Sequence, residues 1–210
     1  MHKGKLYIVA SPSGAGKTSL VKALVESTPH IHISVSHTTR PIRPSETDGA
    51  SYHFVKPAVF KNMLGNDLFL EHAKVFGNLY GTSELWVKEK LNQCEDVILE
   101  IDWQGAQQIR KLMPEAVSIF VLPPSRDALH ERLVGRAQDS DDIIMQRVGQ
   151  AVTEMSHYSE FEYIVVNEEF DLALRDLQTI IRSHRLSVAW IQHYRKGLLD
   201  SLLHQSHILH

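Results

Sequence analysis

The stretch Ser11–Ser19, SPSGAGKTS, directly follows the apolar run Leu6–Ala10, LYIVA. A buried strand that breaks into a glycine-rich turn ending Gly16-Lys17-Thr18 leaves few folds open. These three residues fill the last places of the phosphate loop G-x-x-x-x-G-K-[ST], and Ser11 stands where its first glycine would be. Such a loop needs backbone N–H groups converging on phosphates, glycines that permit the dihedrals and close approach, and a fixed positive charge. Gly14 and Gly16 meet the second need and Lys17 the third, while a helix opening near Lys17 supplies unpaired donors and its dipole. The Thr18 hydroxyl is of the type that ligates Mg²⁺. Ser13, Gly14, Ala15, Gly16, Lys17, Thr18 and Ser19 are therefore expected to hold a nucleoside triphosphate, and Ser11 asks only that the first turn form without glycine.

Downstream, short β-branched runs alternate with helical patterns. Leu6–Ala10, Val97–Ile101, Ser118–Leu122 and Tyr163–Val166 read as buried strands, with His32–Ser36 a weaker one. Helices are expected after Gly16, over Trp103–Met113, Ser125–Val134 and Asp141–His157, and again after Asp171. In that last one, Leu174, Leu177, Ile181, Val188 and Ile191 keep a mostly helical spacing. The alternation predicts an α/β fold with a parallel core sheet covered on both faces. Residues 37–93 break the rhythm with prolines at 41, 44 and 57 and glycines at 49, 65, 77 and 81. That is too long for a loop and reads as an inserted subdomain of short strands and one or two helices, placed to cover a ligand.

Composition narrows the partners. A net charge of −3 gives no drive toward nucleic acid or anionic membrane. The single cysteine, Cys94, forms no internal disulfide, and no apolar run reaches the length of a membrane span or signal core. The expectation is a cytoplasmic protein. None of the 13 histidines forms a metal-binding helical pair, and His204, His207 and His210 read as a solvated tail.

The acceptor is suggested by residues 34–54, SVSHTTRPIRPSETDGASYHF. Arg40 and Arg43 sit three apart among prolines, where two guanidinium groups can converge on one phosphate, although such loops are often plain surface. Together with PSGAGKTSL, FLEHAKVFGNLYGT, EIDWQGAQQIRKLMP, IFVLPPS, RLVGRAQDS and AVTEMSHY, this stretch resembles the guanylate kinases of the bacterial type, from about Leu6 to about Arg185. In that family serine commonly replaces the first loop glycine.

The resemblance implies a P-loop three-layer sandwich with core 1–36 and 94–210, a mixed α/β GMP-binding subdomain over 37–93 and a helical lid over about 135–157. It implies that Arg40, Arg43, Tyr52 and Tyr80 bind the GMP phosphate while Ser36, Glu71 and Thr82 surround guanine. One carboxylate can accept both N1–H and the N2 amino group of guanine, so Glu71 is expected to set base choice. Arg132, Arg136 and Arg147 are implied to contact the donor phosphates and adenine, Asn167 to lie near the donor base, and Asp102 to act on Mg²⁺ through water. Lys17, Arg40, Arg136 and Arg147 would carry the chemistry. Glu100 is implied to help hold guanine, although the family has aspartate there and glutamate is one methylene longer, and Leu79 stands where a second tyrosine is common.

The implied reaction is transfer of the ATP γ-phosphoryl group to GMP, which needs no side-chain base because the acceptor oxygen is already ionised. Two other readings remain at this point. One is a catalytically inactive guanylate-kinase-like module that binds phosphopeptides; the other is a kinase for another small acceptor, such as AMP or shikimate. The apolar C-terminal pattern leaves room for a homo-oligomer.

Overall fold

A computed structural model describes residues 3–44, 46–75, 77–135 and 141–203, without the side chains of 141–144 and 146. In chain order the elements are β1 (Leu6–Ala10), α1 (Lys17–Ser27), β2 (Ile31–Ile33), β3 (His37–Thr38), β4 (His53–Phe54), α2 (Pro57–Gly65), β5 (Phe69–Val75), β6 (Asn78–Ser83) and α3 (Glu84–Asn92). They continue with β7 (Asp96–Glu100), α4 (Trp103–Leu112), β8 (Val117–Leu122), α5 (Arg126–Val134), α6 (Asp141–Met155), a 3₁₀ turn (Ser156–Glu160), β9 (Tyr163–Val166), α7 (Phe170–Arg185), α8 (Val188–Tyr194) and α9 (Lys196–Leu203).

The main sheet has the order β2-β7-β1-β8-β9 and every pair in it is parallel. Strand β1 shows why it must be sandwiched. Tyr7 and Val9 point to one face, where α1 contributes Leu20, Val21 and Leu24 and α7 contributes Ala173, Leu177 and Ile181. Leu6, Ile8 and Ala10 point to the other, against Val87 and Leu91 of α3 and Ala106 and Ile109 of α4. A strand buried on both faces reads as a continuous apolar run, as LYIVA does. Truncating a core leucine such as Leu20, fully buried, costs about 2–5 kcal/mol.

Between β2 and β7 the chain builds a second, four-stranded sheet of order β4-β3-β6-β5. Its main pairing is the antiparallel β5–β6 hairpin, whose register shifts between Phe69 and Glu71. Phe60 of α2 stacks on Phe69 with ring centroids 4.5 Å apart and is fully buried.

At the amino ends of the parallel strands, Asp96 is the common partner. Its carboxylate accepts the Lys5 N–H at 2.7 Å and pairs with Arg185 at the end of α7 at 2.9 Å. Asp96 and Arg185 are both largely buried, so removing either would strand a charge.

The expected strands appear within a residue or two, and Tyr163–Val166 appears as read. The weak strand expected over His32–Ser36 is shorter and earlier, Ile31–Ile33. The single helix expected through Val188 and Ile191 is corrected to two. α7 stops at Arg185, and Ser187 caps α8 by accepting the Trp190 N–H. Apolar periodicity carried across that break although α7 buries its stripe, with Leu177 and Ile181 in the core, while α8 leaves Val188 exposed.

Candidate active site

The carboxyl ends of β1 and β7 open onto one cleft of about 900 Å³, the usual position for a ligand in an open parallel sheet. One wall is the phosphate loop. Gly14 and Gly16 hold φ of 92° and 90°, a region that L side chains rarely occupy. Both are also hemmed in: a Cβ on Gly14 would lie 3.0 Å from Leu129 of α5, and one on Gly16 only 2.4 Å from the Asn167 amide nitrogen. Helix α1 starts at Lys17 with no side-chain cap and no acidic residue in its first turn. Its leading N–H groups are thus left to an anion. Lys17 Nζ donates to the Ile101 carbonyl at 2.8 Å, which lays the ammonium across the cleft floor. The Thr18 hydroxyl donates to the Glu100 carboxylate.

The loop is braced from behind. Asn167 Nδ2 donates to the Ala15 carbonyl at 2.7 Å, Arg132 reaches the same carbonyl at 3.3 Å, and Arg132 also donates to the Asn167 carbonyl at 2.9 Å. Neither residue is among those lining the cleft. Both hold the loop through the Ala15 carbonyl.

The opposite wall belongs to the second sheet. Glu71 on β5 is 3% exposed. Thr82 donates to its Oε1 at 2.6 Å, and Ser36 Oγ lies 3.2 Å from Thr82 Oγ1. Since the Thr82 proton is committed to Glu71, Ser36 must be the donor in that second bond. Burial pushes the Glu71 carboxyl up to about 7, against the opposing pull of the Thr82 hydrogen bond. Gly105, in the first turn of α4, makes room for it: a Cβ there would stand 2.5 Å from Glu71 Oε2. Asp102 caps the same helix by accepting the Gly105 N–H at 2.9 Å.

Beyond Glu71 stands a cationic and aromatic corner. Arg40 pairs with Glu46 at 2.6 Å, and its guanidinium lies 5.5 Å from the Tyr52 ring centroid. Tyr52 and Tyr80 meet edge to face at 5.8 Å. Glu46 also accepts the Arg43 N–H at 2.9 Å. Burial alone would raise the Glu46 carboxyl, but the Arg40 and Arg43 hydrogen bonds hold it below its usual range. Burial, with the nearby Glu100 charge, pushes the Tyr52 phenol up to about 12.

Of the residues singled out from sequence, Ser13, Gly14, Gly16, Lys17, Thr18, Ser19, Ser36, Arg40, Arg43, Tyr52, Glu71, Tyr80, Glu100, Asp102 and Arg147 share this cleft. Ala15 and Thr82 are fully buried behind it. Arg136 and the histidines at 204, 207 and 210 lie outside the described residues. Glu46, Gly105 and Glu154 line or shape the site without having been singled out.

One cleft therefore joins a main-chain anion cradle to a buried carboxylate flanked by hydroxyls and a pair of arginines. A protein-family model described as "Guanylate kinase" matches residues 3–184. The chain is 54% identical to a guanylate kinase of Saccharophagus degradans over 200 residues, 95% of this chain and 98% of the relative. It is 56% identical to one of Vibrio cholerae over 188 residues, 89% of this chain and 91% of the relative. Among solved structures, a guanylate kinase from Anaplasma phagocytophilum superposes with a TM-score of 0.77 at 31% identity, covering 95% of each chain.

Proposed function

Because this chain belongs to the guanylate kinase family, it is a phosphotransferase that converts ATP and GMP to ADP and GDP, and we propose how the cleft divides that work. GMP occupies the wall built by the second sheet, with guanine against Glu71, Thr82 and Ser36 and its phosphate toward Arg40, Arg43, Tyr52 and Tyr80. The triphosphate occupies the loop from Ser13 to Ser19. Residues 37–93 thus form the acceptor-binding part, and α6 the lid over the donor.

The observation that carries this reading is the buried Glu71 carboxylate facing the same cleft as Lys17. A carboxylate in that setting matches guanine, which presents two adjacent donors; adenine would set its N1 acceptor against it. The wrong base then leaves buried polar groups unpaired, a large penalty. On the donor side, Lys17 and Arg147 neutralise charge on the moving phosphoryl group, and the loop amides align it with the acceptor oxygen. No general base is required.

The residues present fit Mg²⁺. Among the described residues no group of three His, Cys, Asp or Glu side chains is set to hold a metal. Mg²⁺ characteristically takes one or two protein oxygens and completes its shell with phosphates and water. The Thr18 hydroxyl, adjoining the Glu100 carboxylate, and the free oxygen of Asp102 are such hard donors. Bound there, the ion would neutralise phosphate charge.

A coupled assay for ADP formation tests the proposal. ATP with GMP should turn over and ATP with AMP should not. Folded protein that binds a phosphorylated peptide but shows no GMP-dependent ADP release would support the non-catalytic module instead.

A further inference from the structure

Glu154 has no part in the chemistry outlined above, yet its carboxylate lines the cleft. It sits one residue before the end of α6, and its Oε2 accepts the Ser13 N–H at 3.0 Å, joining residues 141 apart in sequence. We infer that Glu154 is a positioning residue: it ties α6 to the entrance of the phosphate loop and so fixes where Arg147 stands over the donor phosphates. The inference rests on the proposed role of Arg147.

Three features support it. Arg147 and Glu154 are seven residues apart, close to two helical turns, so they share one face about 10 Å from each other along the axis; both line the cleft. Ala151, on the turn between them, is fully buried and packs with Leu129 and Leu133 of α5. Those two leucines also approach Gly14 to within about the limit a Cβ would allow, 3.0–3.2 Å from its ideal position. Helix α6 is thus seated on α5, whose leucines back Gly14, and is tied directly to the loop at Ser13. Sliding or turning α6 would break that tie and carry Arg147 with it. Ser13 precedes the Gly16–Thr18 segment that opens α1, so the tie holds the front of the loop rather than its helical end.

Burial raises the Glu154 carboxyl above its ordinary range, opposed by the Ser13 hydrogen bond. An acceptor oxygen is therefore what the site needs, more than a full negative charge. That separates the side chain's two properties experimentally.

The test is steady-state kinetics on the full chain with ATP and GMP, comparing E154A, E154Q, R147A and the R147A/E154A double variant. A misplacement of about 1 Å costs on the order of 10²-fold, so E154A is expected to lose roughly that in kcat with the GMP KM changed less than about twofold. E154Q, whose amide oxygen still accepts the Ser13 N–H, should recover to within about fivefold of the parent. In the R147A background the further loss from E154A should be less than about threefold, because the residue being positioned is gone. Losses that multiply in the double variant overturn the inference, as does failure of E154Q to recover activity. Should E154A not fold, E154D gives the same cycle with a shortened tie. A parent protein without GMP turnover, or an R147A variant with full kcat, would instead point to failure of the underlying functional reading.

Discussion

In the function proposed above, the two walls of the cleft solve recognition in opposite ways. The phosphate loop works mainly through main-chain amides shaped by Gly14 and Gly16, with Lys17 as fixed charge. The second sheet works through side chains: one carboxylate buried to 3% exposure, two hydroxyls in series and a pair of arginines. Amides grip any phosphate chain and cannot tell one base from another. A buried carboxylate discriminates, but it carries a desolvation cost and becomes sensitive to pH. On the proposed reading, affinity for the shared part of the substrates and choice between bases are separated in space.

The sharpest way to break this division is E71Q. The amide keeps the shape but turns one acceptor into a donor, and kcat/KM for GMP should fall on the order of 10⁴-fold. ATP binding, measured by calorimetry, should change little; a comparable loss there would mean that the walls do not act separately. Next is K17M, expected to lower kcat by about 10²–10³-fold for any acceptor while GMP affinity in the absence of ATP holds. Weakened GMP binding in K17M would erase the distinction from the other side.

A smaller effect follows from acidity. With the Glu71 carboxyl near 7, the free protein must shed a proton before it can accept both guanine donors. At saturating ATP, kcat/KM for GMP should fall about tenfold per pH unit below that value. E71Q should lack this limb of the profile. The smallest effect is on stability. Glu71 is raised from an ordinary 4.5, so the folded state holds its proton more tightly than the unfolded chain does. Stability from this group is highest at acidic pH and is lost as pH rises through about 7, by about 3 kcal/mol at most. Thermal melts of E71Q and the parent should therefore diverge in favour of E71Q at pH 8 and converge near pH 5.

These differences also explain what was legible in the sequence. The phosphate loop could be read because its parts are contiguous: strand, glycines, lysine and helix start lie within Leu6–Ser27. The parallel sheet followed from the same local logic, since LYIVA and its counterparts have no polar face to give to solvent. Glu71 became readable only through resemblance; by itself, EHAK on an edge hairpin looks like solvated charge. Glu46, Gly105 and Glu154 were not read because each acts on something distant or unmarked. Gly105 matters for the space it leaves to a residue 34 positions earlier, and Glu154 for an amide at the other end of the chain. Arg132 and Asn167 were read beside the donor nucleotide, and the structure adds what a motif cannot show, their joint hold on the Ala15 carbonyl of the loop. The α7–α8 break shows a similar limit: periodicity ran on, while the Ser187 cap that ends it was a single-residue signal.

The carbonyl of Ala15, held at once by Asn167 and Arg132, has a consequence for inhibitor design. A carbonyl clamped by its own scaffold ties the cradle's shape to the fold, so a compound aimed at it gains most by matching that shape. Rigid pyrophosphate mimics should fit it best, while selectivity over other triphosphate-using enzymes will have to be engineered at the purine end.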